Sequence, residues 1–264
     1  MSSIDLATQQ SARAEAVDFV RATVSLWQSA LGPELLGVYL MGSLAHGGFS
    51  ARYSDVDIAV VTQAGMPLQL IDKVRGEAAA VSARWGPKLS VFWADRDFDI
   101  GRFPPLDRVD LLDHAVVLTE RERVRPARPS LDEIRSYLAG APFTRWTESV
   151  RRFAGTATLE PTDRKAYLRT ILYPGRLCYS WLTGRMGSND EAVAFLAGNP
   201  PAGLDVTSIS RALRCRQADA DPDDLFPART TLPSQVDACV ALVAAQRPHV
   251  ESTMQELART ITTE

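Results

Sequence analysis

The chain reads as an α+β protein, with an N-terminal mixed α/β unit followed by an all-α helical bundle, and three features of the sequence predict this. Before Arg121, short apolar runs of strand composition alternate with amphipathic helical stretches. Beyond Pro129 helical periodicity returns again and again, and no segment has strand character. Between the two lies 121–129, RERVRPARP, where charge and proline interrupt the pattern as a linker does. The boundary is placed within it, giving units 1–125 and 126–264, and 264 residues are enough for two modest cores.

Residues 5–30 open the chain with helical spacing, Ala16, Val17, Phe19, Val20, Val24 and Trp27 being apolar, and Leu31-Gly32-Pro33 closes the segment. Gly37-Val38-Tyr39-Leu40-Met41 follows as a strand ending at Gly42-Ser43, and the connection AHGGFSARYS is rich in turn formers. Asp55-Val56-Asp57 runs directly into the apolar Ile58-Ala59-Val60-Val61, a second strand. Residues 68–85 predict a second helix, LSVFWA at 89–94 a third strand, and LLDHAVVL at 111–118 a helix end running into a fourth. In the second half, 131–138, 144–157, 163–183, 190–196, 207–215 and 232–260 predict helices, with 218–228 an acidic loop.

The stretch 37–62 carries the chemistry. A strand that stops at Gly42-Ser43 offers close backbone approach and a hydroxyl donor, which suits a phosphate. Eleven residues separate Ser43 from Asp55, and strand alternation puts Asp55 and Asp57 on one face. Two carboxylates side by side at the head of an apolar strand are costly unless a cation lies between them. Mg2+ is the simplest candidate, because it is usually held by one or two carboxylates plus substrate phosphates.

Gly42-Ser43, the spacer and Ser54-Asp55-Val56-Asp57-Ile58 resemble the G-S-x(about 10)-D-x-D signature of the nucleotidyltransferase superfamily. Gly47-Gly48 brings the block closest to the streptomycin/spectinomycin (aminoglycoside) adenylyltransferase-like proteins. A second block, Arg176-Leu177-Cys178-Tyr179-Ser180-Trp181-Leu182-Thr183-Gly184 followed by Ser188-Asn189-Asp190-Glu191-Ala192, is similar to the R-x-x-Y-S-x-x-T-G segment of their C-terminal helical domain. A helix closed by Thr-Gly and restarted by a Ser N-cap would give the same residues. The resemblance implies a nucleotidyltransferase-type mixed sheet and a Mg2+-dependent transfer of a nucleoside monophosphate, AMP from ATP, to a hydroxyl of a small acceptor. It implies Asp55 and Asp57 as catalytic metal ligands, with Gly42, Ser43, Ser54 and Arg176 at the nucleotide. A catalytically weak nucleotide-binding or regulatory module, or a toxin-type transferase acting on tRNA or protein, is the alternative.

Three departures qualify the resemblance. The family's third carboxylate, on the strand after the second helix, is replaced by Ser90, with Asp95 and Asp97 as the nearest stand-ins. Asn189 stands near the place of a phosphate-reaching Lys. Ala166-Tyr167-Leu168-Arg169 replaces the acids that recognise a cationic aminoglycoside.

Other residues have plainer readings. His46 reads as an exposed loop residue with phosphate or metal contact as the alternative, His114 as structural and His249 as helix surface. Trp85, Trp93, Trp146 and Trp181 read as core, and Cys178, Cys215 and Cys239, lacking C-x-x-C spacing, as buried reduced thiols. A net charge of −3 argues against nucleic acid as partner, the polar N-terminus is unlike a signal peptide, and no apolar run is long enough to span a bilayer. A cytoplasmic protein with small-molecule partners is expected.

Overall fold

A computed structural model describes residues 3–246, together with 254, 255 and 258. It is an α+β protein that divides into two compact units, Met1–Pro129 and Ser130–Glu264. Among the described residues no helix is long and apolar enough to cross a membrane.

In the first unit the order is α1 (Ser3–Leu31), β1 (Leu35–Met41), α2 (Gly42–His46), β2 (Val56–Thr62), α3 (Leu68–Val81), β3 (Leu89–Ala94), β4 (Gly101–Arg102), α4 (Pro105–Asp113) and β5 (Val116–Glu120). The strands form one sheet in the order β4-β3-β2-β1-β5. β2 and β3 are parallel and the other pairs antiparallel, so the sheet is mixed. A parallel pair needs a crossover, and α3 supplies it. All seven residues of β1 are buried, as expected of a central strand covered on both faces.

The two faces are distinct. Ala16, Phe19, Val20 and Trp27 of α1 and Ile71, Val74 and Ala78 of α3 pack with Val56, Ile58 and Val60 of β2. On the opposite face Ala59 and Val61 meet Tyr39, Met41, Phe98, Phe103 and Leu111 of α4. Alternation along β2 therefore puts Asp57 on the α4 face. Two local features depart from expectation. β1 runs into a short helix, α2, rather than an open loop, and β4 is a two-residue strand too short to carry any period.

The second unit comprises α5 (Leu131–Ala139), α6 (Ala141–Ala154), α7 (Arg164–Thr183), α8 (Asn189–Gly198), α9 (Val206–Gln217) and α10 (Leu232–Gln246). α7 is buried around much of its circumference, including Tyr167, Leu168, Ile171, Leu177 and Trp181, and so is the element on which the others pack. It ends where Gly184 adopts φ +67°, a left-handed cap that Thr-Gly predicted. Trp146 stacks on Tyr173 at 5.0 Å and its indole N–H donates to the Thr170 carbonyl at 3.0 Å. Trp85, Trp146 and Trp181 are core residues, and Trp93 is half-buried against the first unit's core.

Cys178 and Cys239 are buried thiols, whereas Cys215 is only half-buried, against expectation. A hydrogen bond with Cys178, and then burial, push the Cys239 thiol well above its ordinary value. The expected acidic loop runs into a 3-10 stretch, Asp223–Thr231, that extends beyond it. His249, and the expected last helix past Gln246 except at 254, 255 and 258, lie outside the described residues.

Candidate functional site

The turn from β1 into α2 depends on Gly42, whose φ is +62°. A Cβ there would collide with Asp57 Oδ2, so the Asp57 carboxylate lies directly against the bare glycine. No larger residue could occupy this position without displacing the acid.

Ser43, half-buried in the first turn of α2, donates to Ser54 Oγ at 2.9 Å. Ser54 is 2% exposed and also accepts the Ser50 N–H at 3.0 Å. Ser50 in turn accepts from the Tyr53 N–H at 3.1 Å. The turn-rich connection is thus a serine-knotted loop that fixes the Ser43 hydroxyl. It is pinned from outside by Lys88, whose ammonium donates to the carbonyls of Ala51 at 2.7 Å and Arg52 at 3.1 Å. Ser54, expected at the nucleotide, is buried and accepts from the Ser43 hydroxyl.

Asp55 and Asp57 are both half-buried, but β2 opens at Val56, so only Asp57 is inside the ladder. Asp57 pairs with Met41 on one side and with Ser90 on the other. Because β2 and β3 run parallel in that register, Ser90 shares the face of Asp57, and a carboxylate at 90 would be its lateral neighbour. Neither stand-in fills the gap. Asp95 uses Oδ1 to accept the N–H groups of Asp99 at 2.9 Å and Ile100 at 3.1 Å, shaping the turn into β4, and Asp97 is exposed.

An acid that sequence reasoning missed reaches the same glycine from α4. Asp110 is 3% exposed, and its Oδ2 accepts the Gly42 N–H at 3.0 Å. Its Oδ1 has no hydrogen-bond partner among the described residues. One helical turn on, the His114 ring meets that of His46 edge-on at 5.6 Å, so His46 is a half-buried packing residue of α2 rather than an exposed loop residue. The two helices meet at matching i, i+4 positions, Gly42 with Asp110 and His46 with His114. The sequence signal was a lone Asp inside a buried apolar stripe, Val109-Asp110-Leu111.

Asp55 and Asp57 offer hard oxygen donors, and Asp57 lies in the cradle that Gly42 leaves open, which fits Mg2+ completed by phosphate oxygens. Among the described residues no three or more His, Cys, Asp or Glu side chains form a ready metal cage. Arg176 belongs to the second unit, exposed on α7 with its guanidinium 3.6 Å from Met186 Sδ. Asn189 is the first residue of α8, behind a Ser188/Glu191 capping box. Where the resemblance expects acceptor-binding acids, Tyr167 is a core residue whose hydroxyl donates to the Leu225 carbonyl at 2.9 Å, and burial pushes it up to about 12.

No family model matches the chain, and no curated protein matches its sequence. Among solved structures the chain is similar to spectinomycin adenyltransferase AAD(9) from Enterococcus faecialis, determined with ATP and spectinomycin. The TM-score is 0.56 over 95% of this chain and 99% of that one, at 14% identity. The chain thus has the fold of an aminoglycoside adenylyltransferase, a nucleotidyltransferase-type mixed sheet followed by a helical unit.

Proposed function

We propose that the chain is a Mg2+-dependent nucleotidyltransferase that moves a nucleoside monophosphate, AMP from ATP, to a hydroxyl of a small acceptor of the aminoglycoside-like class. The first unit would be the nucleotidyltransferase domain and the second the helical domain. The observation that carries this reading is the packing of the Asp57 carboxylate against Gly42, one residue before a Ser43 hydroxyl held by a buried serine. The structural neighbour's ATP and spectinomycin support the nucleotide and the acceptor class.

Each residue has a task in this scheme. Asp55 and Asp57 would hold Mg2+, which when bound would neutralise the triphosphate and stabilise the departing oxygens. Gly42, lacking a Cβ, leaves room for the Asp57 carboxylate, and so for the metal-bound triphosphate, beside the backbone. Ser43 turns its proton from Ser54 to a β- or γ-phosphate oxygen, and Ser54, rotating its own proton, then donates to Ser43, so no hydroxyl is left unpaired. Arg176 is assigned to phosphate as a cation on the helical unit.

The test is direct. Purified protein, the four common nucleoside triphosphates, Mg2+ and a panel of hydroxylated aminocyclitols should yield acceptor-dependent pyrophosphate, greatest with ATP. Absence of Mg-triphosphate binding by wild type, or binding unaltered in Asp57→Asn, would overturn the reading.

One observation favours a second reading, that of a nucleotide-binding module with weak transfer. β3 brings Ser90, not a carboxylate, beside Asp57, and a hydroxyl cannot serve as general base at neutral pH. In that case Mg-triphosphate binds without appreciable pyrophosphate release, and Ser90→Glu gains transfer. Robust wild-type turnover that Ser90→Glu destroys would rule this second reading out.

A further inference from the structure

The first unit leaves one charge unexplained. Asp110 is buried to 3% exposure, tied through one oxygen to the Gly42 N–H at 3.0 Å, while its other oxygen has no hydrogen-bond partner among the described residues. If its task were only to hold the first N–H of α2, a neutral acceptor would do it without this cost. A buried, incompletely paired carboxylate is penalised by several kcal/mol in general. It persists where something positive compensates it.

The surroundings identify the direction from which compensation comes. Gly42 has Asp110 on its N–H and Asp57 against its bare α-carbon, so two carboxylates from different elements, α4 and β2, converge on one residue. On the third side, at the register position beside Asp57, β3 offers only Ser90. We propose that Asp110 is a positioning residue of the cation site, supplying from α4 the third negative charge that β3 lacks. This rests on the proposed assignment of Asp55 and Asp57 to a divalent cation. Asp110 is assigned no direct ligation, because the contact it makes is with the Gly42 N–H rather than within a cluster of carboxylates. It acts through Gly42, fixing the backbone against which Asp57 lies and adding its field to the cation. Such outer groups typically change metal affinity about 10- to 100-fold.

A consequence for the anion follows from the same geometry. The Gly42 N–H is consumed by Asp110, so the phosphate seat begins at Ser43, and a triphosphate without its metal meets two carboxylates at the glycine. The site therefore takes the metal complex and rejects the bare nucleotide.

The discriminating experiment separates charge from hydrogen bond. Asp110→Asn keeps an acceptor for the Gly42 N–H and removes the charge, and Asp110→Ser is a second, smaller neutral acceptor. Mn2+ alone is titrated into the full chain, with the unbound ion followed by its paramagnetic resonance signal and the thermal transition recorded for each variant. The expected result is a native-like transition with Mn2+ affinity weakened about 10-fold or more in Asp110→Asn, and Mn2+ binding lost in Asp57→Asn. Partial recovery in Asp110→Asn/Ser90→Asp, which moves the charge to β3, would support the same conclusion. Wild-type affinity in Asp110→Asn, with binding lost in Asp57→Asn, makes Asp110 a simple cap and overturns the inference alone. Unchanged affinity in Asp57→Asn overturns the cation site itself. Failure of both neutral variants to fold would assign the carboxylate a purely structural role and also overturn it.

Discussion

Helices begin differently in the two units. In the helical unit α6 and α7 have no side-chain cap, but α5 and α8 start with complete capping boxes, Ser130 with Glu133 and Ser188 with Glu191, and α9 starts with Asp205 accepting the Ser208 N–H. Every cap there comes from within three residues of the N–H it satisfies. In the first unit α2, α3 and α4 have no side-chain cap of this local kind, and the leading N–H of α2 goes to Asp110, 68 residues away. Local capping costs little and stabilises a bundle. Remote capping ties backbone geometry at one point in the chain to a side chain on another element, which is what a site with fixed geometry requires.

The most damaging way to break the remote arrangement is Gly42→Ala. A left-handed residue with a Cβ costs about 1–2 kcal/mol on conformation alone, and here the added carbon also drives into the Asp57 carboxylate. The expected outcome is loss of Mg-triphosphate binding in titration calorimetry, with unit 2 unaffected and only a modest fall in the thermal transition. Retained binding would mean that the Asp57 carboxylate does not need the place it occupies against Gly42.

That contrast also explains what the sequence disclosed. The Ser188 cap, the Thr-Gly stop of α7 and the Asp-x-Asp strand are written in residues close to one another, so the helical unit was legible in the sequence and Gly42, Ser43, Asp55 and Asp57 stood out as candidates. Asp110 and the His46–His114 contact depend on α4 folding back over β1, and no periodicity encodes that. Ser54 was expected at the nucleotide as part of the motif that carries the resemblance, and its burial and its bonds from Ser43 and the Ser50 N–H depend on the fold of the connecting loop. The register of β2 on β3 puts Ser90 beside Asp57, at the strand where the resemblance expects a third carboxylate. What Asp95 does instead was not legible in the sequence, because its capture by the Asp99 and Ile100 N–H groups depends on the unforeseen β4 hairpin.

On the local side the comparison sharpens with Ser130→Ala. Ser130 Oγ accepts the Glu133 N–H at 3.2 Å, and Glu133 returns the contact by accepting the Ser130 N–H at 2.7 Å. Removing the hydroxyl should cost about 1 kcal/mol, visible in chemical denaturation, and leave Mg-triphosphate affinity as in wild type. A cost well above this would show that the cap holds more than its own helix.

The smallest effect is expected from Asp205→Asn, which keeps the cap and removes only its charge. Burial pushes the Asp205 carboxyl up, but hydrogen bonds from Ser208, with the backbone N–H at 3.0 Å, and from Thr231 and Thr207 outweigh it, so its folded pKa lies below the ordinary carboxylate value. The sign follows from linkage. A group whose pKa is depressed by folding binds fewer protons in the native state, so its stabilisation is fully present above the unfolded pKa and is lost as pH falls through the folded one. Asparagine caps about as well as aspartate but does not titrate. Wild type and Asp205→Asn should therefore differ slightly at neutral pH, with the gap closing as the pH drops through the acid range below the ordinary carboxylate value. The check is the thermal midpoint of both proteins over that range. Parallel curves would mean that the Asp205 charge contributes nothing and that α9, like the start of α5, is held by a hydrogen bond alone.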